Sequence, residues 1–326
     1  MLRNTSRLAR ASPVACSAPS LRTSAGSARR LYTTDNSTHG VKTLGVVGAG
    51  QMGGGIAQVA SQVAGVRVVL VDSQQAQLER ALQTMDHFLA KNIAKGKITE
   101  QAAQETKSRI AISTDVAKLQ EADFIVEAAS ENVLIKEKIF KELARVAKPE
   151  AILASNTSSI SITKIGAFTP RPEKVVGMHF MNPVPIMQLV EIIPGLATSE
   201  HTLSTTLALA KAMGKTTAQS DDRPGFIANR LLCPYLNEAI NALQDGLGSR
   251  EDIDTTLKLG CNMPMGPLTL ADFIGLDTVL AIMRVLHSEL GEDKFRPSPL
   301  LIKYVDAGWL GVKSGKGFYD YAKKQK

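Results

Sequence analysis

Cysteine is nearly absent from the 326-residue chain: three residues, at positions 16, 233 and 261, with neither CxxC nor Cys/His spacing. That excludes a disulfide framework and a zinc site. It leaves Cys233 and Cys261 expected as buried apolar filler. Long apolar runs are missing too, and no stretch reaches the roughly 18 continuous apolar residues that a membrane-spanning helix needs. Acidic residues are absent from the first 34 positions, which hold six of the 38 basic ones. The rest of the chain therefore carries 32 basic against 31 acidic residues, so the formal charge of +7 belongs to the N-terminus and supplies no basic face for nucleic acid. No internal repeat or low-complexity segment follows.

What is present at the N-terminus is Arg3, Arg7, Arg10, Arg22, Arg29 and Arg30 among many Ser and Ala, with Leu2 and Leu8 spaced to share a face. An Arg-rich, Ser-rich, acid-free segment has the composition of a mitochondrial transit peptide, with a disordered cytosolic tail as the alternative. A secretory signal is disfavoured because no uninterrupted apolar core follows the first charges. Residues 1–38 are read as that peptide, cleaved between residues 30 and 40, and the mature protein is expected in the mitochondrial matrix. Cys16 would leave with the peptide.

The remaining length suits two domains. Residues 42–48 read as a short buried strand, Gly48-Ala49-Gly50-Gln51-Met52-Gly53 opens a helix, and residues 66–71 form a second strand that ends on Asp72. Gly48 and Gly50 permit a tight turn and close approach to a pyrophosphate, Gly53 lets helix pack on strand, and the helix N-terminus offers free N–H groups to the anion. A lone GxGxxG is weak evidence; here it has the strand, the helix and the acid that the dinucleotide fingerprint demands. A carboxylate at the ribose would repel a 2′-phosphate, and Ser73, Gln74 and Gln75 bring no arginine to receive one, so NAD is favoured over NADP.

Thirty-six residues, 73–108, separate Asp72 from the next strand, 109–113. Leu78, Leu82, Met85 and Leu89 recur at helical spacing, Lys95-Gly96-Lys97 breaks the pattern, and residues 99–107 resume it. This predicts a helical hairpin inserted into the nucleotide fold. Its tip carries Lys91, Lys95 and Lys97, either a phosphate contact or a solvated turn. Alternation then continues with strand 124–128, helix 132–147 and strand 151–155, the pattern of a parallel sheet. Ligands sit beyond the carboxyl ends of such strands, which puts Glu127, Glu131 and Ser155-Asn156-Thr157-Ser158-Ser159 at the cofactor's edge. Thr157 or Ser159 could instead cap a helix beginning near Ile160.

Strands 175–180 and 189–193 flank the run from Met178 to Glu191, in which one His, one Asn and one Glu stand among apolar residues around Pro183 and Pro185. A base with an orienting carboxylate could be built from His179 and Glu191; a core histidine and a solvated strand acid are the alternative. Helix 199–213 and strand 216–219 complete residues 39–221 as a Rossmann-type, mostly parallel α/β domain. After Asp221-Asp222-Arg223-Pro224-Gly225, a linker, the periodicity of residues 222–326 is helical, over 227–244, 251–259, 268–273 and 276–290.

These motifs, with Ala154-Ser155-Asn156-Thr157-Ser158-Ser159, His179-Phe180-Met181-Asn182-Pro183-Val184-Pro185, Pro224-Gly225-Phe226-Ile227-Ala228-Asn229-Arg230, Met265-Gly266-Pro267 and Gly315-Lys316-Gly317-Phe318-Tyr319, give the chain a resemblance to the 3-hydroxyacyl-CoA dehydrogenase family from about residue 42 to 321. The resemblance implies NAD-dependent oxidation at C3 of a short acyl-CoA, in fatty acid beta-oxidation. It makes His179 the general base and Glu191 its partner, has Ser158 hydrogen-bond the substrate beside the nicotinamide, and gives Asn182 and Asn229 positioning roles. It also implies cofactor contacts for Ser158, Asn182, Glu131, Lys136 and Lys313 besides residues 48–53 and Asp72, a CoA contact for Lys95, and a homodimer. Two departures stand out. Phe88 occupies the place of a serine that contacts CoA in the animal enzyme, and Met181 replaces the commoner Phe, a volume-conserving change. Oxidation of a free hydroxy or sugar acid, and an inactive nucleotide-binding partner protein, are the alternatives.

Overall fold

A run of five apolar or small residues, Thr43–Val47 (β1), is buried along almost its whole length because both faces of a parallel sheet are covered by helices. The computed structural model describes residues 39–321, so the transit-peptide reading of residues 1–38 lies outside the described residues. After β1 come Gln51–Gln62 (α1), Arg67–Val71 (β2), the hairpin Gln75–Ala94 (α2) and Glu100–Ser108 (α3), and Ile110–Ser113 (β3). Phe124–Glu127 (β4), Val133–Val146 (α4), Ile152–Ser155 (β5), Ile162–Gly166 (α5) and Val175–Phe180 (β6) follow, then Leu189–Pro194 (β7), Glu200–Ala212 (α6) and Thr216–Gln219 (β8).

The strands form one sheet in the order β3-β2-β1-β4-β5-β6-β7-β8. Every neighbouring pair is parallel except β6 and β7, which run antiparallel with His179 opposite Glu191. The strand order reverses between β1 and β4, and in open α/β sheets the crevice at such a reversal takes the ligand. The inserted hairpin forms as its periodicity predicts: Leu78, Met85 and Leu89 are buried, Thr99 Oγ1 caps α3 by accepting from Ala102 N at 3.1 Å, and α2 lies close on α1. Gly54 eases that approach, since a Cβ there would stand a tight 3.2 Å from the Ala81 Cβ.

Beyond the sheet the chain is helical: Ala228–Gln244 (α7), Arg250–Thr255 (α8), Pro267–Ile274 (α9), Leu276–Leu290 (α10) and Pro299–Asp306 (α11). The helix expected over 251–259 ends at Thr255 and continues as a wider turn, Thr256–Gly260, while α11 had no counterpart in the sequence reading. Cys233, Leu236, Ile240, Leu276, Met283 and Leu286 centre this second core. Burial pushes the Cys233 thiol up to about 12 and keeps it inert. Cys261, by contrast, is exposed, which corrects its reading as buried filler: it directly follows the wider turn that replaces the end of the expected helix.

Two of the late motifs are structural staples. Asp254 accepts from Leu268 N at 2.7 Å and Thr269 N at 3.0 Å, and Gly266 leaves it room, since a Cβ there would stand 2.4 Å from the aspartate. Asp272, almost fully buried, accepts from Phe318 N at 2.9 Å and Tyr319 N at 3.0 Å, tying the last described turn to α9. No helix among the described residues is long and apolar enough to cross a membrane.

Candidate active site

The loop between β1 and α1 has the shape the fingerprint requires. Gly48 adopts φ +98°, and a Cβ there would meet the Ala128 carbonyl oxygen at 2.7 Å, while one at Gly53 would lie 1.8 Å from the Gly48 oxygen. A Cβ at Gly50 would meet nothing within 4 Å, so this position faces open space over the helix N-terminus. No side chain caps α1, which leaves the N–H groups of Gln51, Met52 and Gly53 free for an anion. Asp72 at the end of β2 accepts from Ala49 N at 2.7 Å and Gln74 N at 2.9 Å, which sets its carboxylate beside the loop. Among the described residues this cradle fits a dinucleotide pyrophosphate with an acid near the ribose.

His179 and Glu191 meet because they are opposed across the antiparallel pair β6/β7 and point to the same face. His179 Nδ1 lies 2.8 Å from Glu191 Oε2, with both side chains nearly buried. A carboxylate at Nδ1 favours the tautomer protonated there and leaves Nε2 as an acceptor. The second oxygen, Glu191 Oε1, accepts from Ile227 N at 3.1 Å and Ala228 N at 2.9 Å, the opening of α7. Burial pushes the Glu191 carboxyl up, but the His179 hydrogen bond, the two amides and the His179 charge outweigh it and hold it below the usual carboxylate range. Phe226, with φ +50°, turns the chain into α7 and sets its ring 5.9 Å from the imidazole.

At the carboxyl end of β5 the chain makes a polar turn. Glu131 Oε1 accepts from Thr157 Oγ1 at 2.6 Å, from Ser158 N at 2.8 Å and from Ser159 N at 3.0 Å. Asn229, near the start of α7, donates from Nδ2 to the Ser158 carbonyl oxygen at 3.2 Å, so a group from the helical half touches the turn. The helix starts later than expected: α5 is capped by Ser161 and by Asp222, which accepts from Ile162 N at 2.9 Å and Thr163 N at 2.8 Å, while Thr157 Oγ1 accepts from Ile160 N at 2.9 Å in the turn before it.

Glu127 does not reach the cofactor's edge. It is fully buried, 2.8 Å from Lys136 Nζ through both oxygens, and accepts from Ser155 Oγ at 2.7 Å. An ionised pair out of water is stable only when matched in this way. Lys136, 1% exposed, therefore lies beneath the crevice rather than on its surface, and its ammonium reaches Glu131 Oε2 at 3.5 Å. Asn182 is exposed at the head of the turn after β6, joined to Pro183 by a cis bond. Lys95 stands exposed at the hairpin tip with no acidic partner among the described residues, whereas Lys313 pairs with Asp277 at 2.7 Å in the helical half.

A cleft of about 340 Å³ runs from Gly50 and Gln51 between α1 and α2 to the proline turn, with Arg80, Phe88, Val184 and Pro185 along it. Phe88 thus faces the cleft from the hairpin. Three residues hold positions that their sequence does not predict. Asn156 Oδ1 accepts from Phe180 N at 2.8 Å and fixes the end of β6, Asp222 caps α5, and Lys215 Nζ donates to the Val184 and Met187 carbonyl oxygens at 2.5 and 2.8 Å, holding the proline turn. Only Asn156, within the polar run 155–159, carries a local signal.

Residues 43–223 match the family described as 3-hydroxyacyl-CoA dehydrogenase, NAD binding domain, and residues 225–321 match 3-hydroxyacyl-CoA dehydrogenase, C-terminal domain. A 3-hydroxybutyryl-CoA dehydrogenase of Bradyrhizobium diazoefficiens is 52% identical over 281 residues, covering 86% of this chain and 96% of that protein. The human mitochondrial hydroxyacyl-coenzyme A dehydrogenase is 44% identical over 289 residues, 86% of this chain and 91% of that one. Among solved structures, (S)-3-hydroxybutyryl-CoA dehydrogenase from Ralstonia eutropha superposes with a TM-score of 0.83 at 48% identity, over 86% of this chain and 99% of that chain.

The Glu191 geometry carries a pH dependence. Its carboxyl binds a proton at lower pH in the folded protein than in the unfolded chain, so its pairing stabilises the native state above the unfolded value and is lost as pH falls through the folded one. Glu191→Gln is expected to cost about 2–4 kcal/mol of unfolding free energy at neutral pH and clearly less in acid below the carboxylate range. Urea denaturation of both proteins at the two pH values reads the difference; an equal cost at both would remove the charge from the explanation.

Proposed function

Because the chain belongs to the 3-hydroxyacyl-CoA dehydrogenase family, we propose that it carries out the family's NAD-dependent oxidation of a short-chain L-3-hydroxyacyl-CoA with His179 as its general base. The observation that carries the assignment is the pair His179–Glu191, 2.8 Å apart, at the end of a parallel sheet that also bears the dinucleotide loop. NAD, when bound, supplies the acceptor for the hydride that leaves C3. The residues of the chain do the rest. His179 Nε2 takes the proton from the 3-hydroxyl, and Glu191 stabilises the imidazolium that results. Ser158 hydrogen-bonds the substrate oxygen, and Asn182 and Asn229 orient the substrate and the turn around it. Asp72 receives the adenosine ribose, and residues 48–53 hold the pyrophosphate. Glu131 on the Ser158 turn and Lys136 buried beneath it stand on the nicotinamide side, and Lys95 at the hairpin tip meets the CoA phosphates. Lys313 pairs with Asp277 rather than with any group of the dinucleotide loop, so a cofactor contact by it requires that pair to part.

A mitochondrial matrix setting, with 1–38 as transit peptide, rests on the arginine-rich, acid-free composition of that segment and on the human relative. Division at residues 221/222, with 73–108 as an insertion, follows the change from sheet to helices. A homodimer through the helical half fits its exposed Leu231, Leu247 and Phe273. Protein isolated from cells is expected to begin between residues 31 and 40 by N-terminal sequencing and to sediment at twice the chain mass; an intact N-terminus or a single-chain mass would defeat the corresponding reading.

Steady-state kinetics on 3-hydroxybutyryl-CoA against free 3-hydroxybutyrate tests the substrate class, with strong preference expected for the CoA ester. Comparable efficiency on the free acid would overturn it. His179→Gln is expected to keep NAD binding, followed by calorimetry, and to lower turnover by about two to four orders of magnitude. Near-normal turnover would take His179 out of the mechanism.

A further inference from the structure

Beneath the Ser158 turn runs a polar chain, buried at Ser155, Glu127 and Lys136 and partly exposed at Glu131, that carries neither proton nor hydride in the reaction. It starts at the Ser155 hydroxyl on Glu127, passes through the Glu127–Lys136 pair, and reaches Glu131, whose Oε2 stands 3.5 Å from Lys136 Nζ. Glu131 then turns its other oxygen on the Ser turn. Besides Thr157 Oγ1 and the amides of Ser158 and Ser159, the hydroxyls of Ser158 and Ser159 lie 3.2 and 3.0 Å from Oε1. Five donors on one oxygen exceed its lone pairs. The two amides and Thr157, at 2.6 to 3.0 Å, include the shortest contacts, whereas the Ser158 hydroxyl has the longest and rotates freely about its own bond. That hydroxyl can therefore leave Glu131 for a substrate oxygen without the turn letting go. From the other side Asn229 holds the Ser158 carbonyl.

We propose that Glu131, its carboxylate anchored by buried Lys136, is a positioning residue for Ser158, holding the turn so that the serine hydroxyl faces the reacting oxygen. The inference rests on the reading of Ser158 as the substrate-binding serine. A cofactor contact, the role that family resemblance implies for Glu131, predicts different kinetics. A carboxylate acting through Ser158 alters kcat and is coupled to the serine; one that touches the dinucleotide alters KM for NAD and is not.

A double-mutant cycle separates the two. Ser158→Ala is expected to lower kcat about tenfold to a hundredfold, the worth of one hydrogen bond to a reacting group. Glu131→Gln places an amide nitrogen among donors and is expected to lower kcat about tenfold with KM for NAD little changed. The double variant is expected to fall within about threefold of the worse single one, because both remove the same contact. Glu131→Asp keeps the charge but withdraws the oxygens; it provides the same test should the Gln variant fold poorly, as judged by thermal unfolding. Losses that multiply in the double variant, or a Glu131 effect confined to KM for NAD, would overturn the proposal. An unchanged kcat in Ser158→Ala would instead remove the serine's role, and this inference with it.

Discussion

The carboxylate of Glu191 is the contact on which the arrangement depends. One oxygen holds the imidazole of His179 and the other receives the amides of Ile227 and Ala228 at the opening of α7, so a single side chain orients the imidazole and docks the helical half against the sheet. Neither partner is dispensable to a buried anion, since a carboxylate removed from water needs its lone pairs satisfied. The helix N-terminus suits the task because its unpaired N–H groups and partial positive charge face the acid. Orientation of the imidazole and contact between the two halves are thereby linked through one group.

A second buried anion, Glu127, repeats the logic under the other side of the crevice. Its match with Lys136 lets two charges sit at almost no exposure, and the residual field of the lysine reaches Glu131. Partial burial alone would raise the Glu131 carboxyl; the charge of Lys136 and the hydrogen bonds from Thr157, Ser158 and Ser159 prevail and keep it below the usual range. The Glu127–Lys136 pair thus sits below the crevice, where water screens it little, while Glu131 stays partly exposed above it. The helical half uses the same device for architecture: Asp254 and Asp272 gather backbone amides and fasten α9 to the elements around it.

Much of the nucleotide half was legible before any coordinates. The glycine positions, the acid after β2 and the alternation of strand and helix reflect local backbone requirements, and local requirements leave a local pattern. The hairpin was legible for the same reason, through the spacing of Leu78, Met85 and Leu89. What escaped depends on partners far away in the chain. Glu127 looked like a crevice residue because it ends a strand, and only the position of Lys136 nine residues later, one helix turn inside α4, takes it out of reach. Asp222 looked like a linker acid until the fold brought it to α5, and Lys215 carried no signal for its hold on two carbonyls of the proline turn.

By itself the sequence determined the class of fold, the dinucleotide cofactor and the candidate pair His179 and Glu191, since each follows from spacing along one segment or across one hairpin of strands. Tertiary structure alone decided what those residues touch: the second oxygen of Glu191 on α7, Asn229 on the Ser158 turn, Lys136 buried against Glu127, Cys261 exposed instead of buried. The division has one physical cause. Backbone conformation and periodicity are properties of neighbours in the chain, whereas burial and charge pairing are properties of neighbours in space, and those exist only once the sheet and the helices have packed.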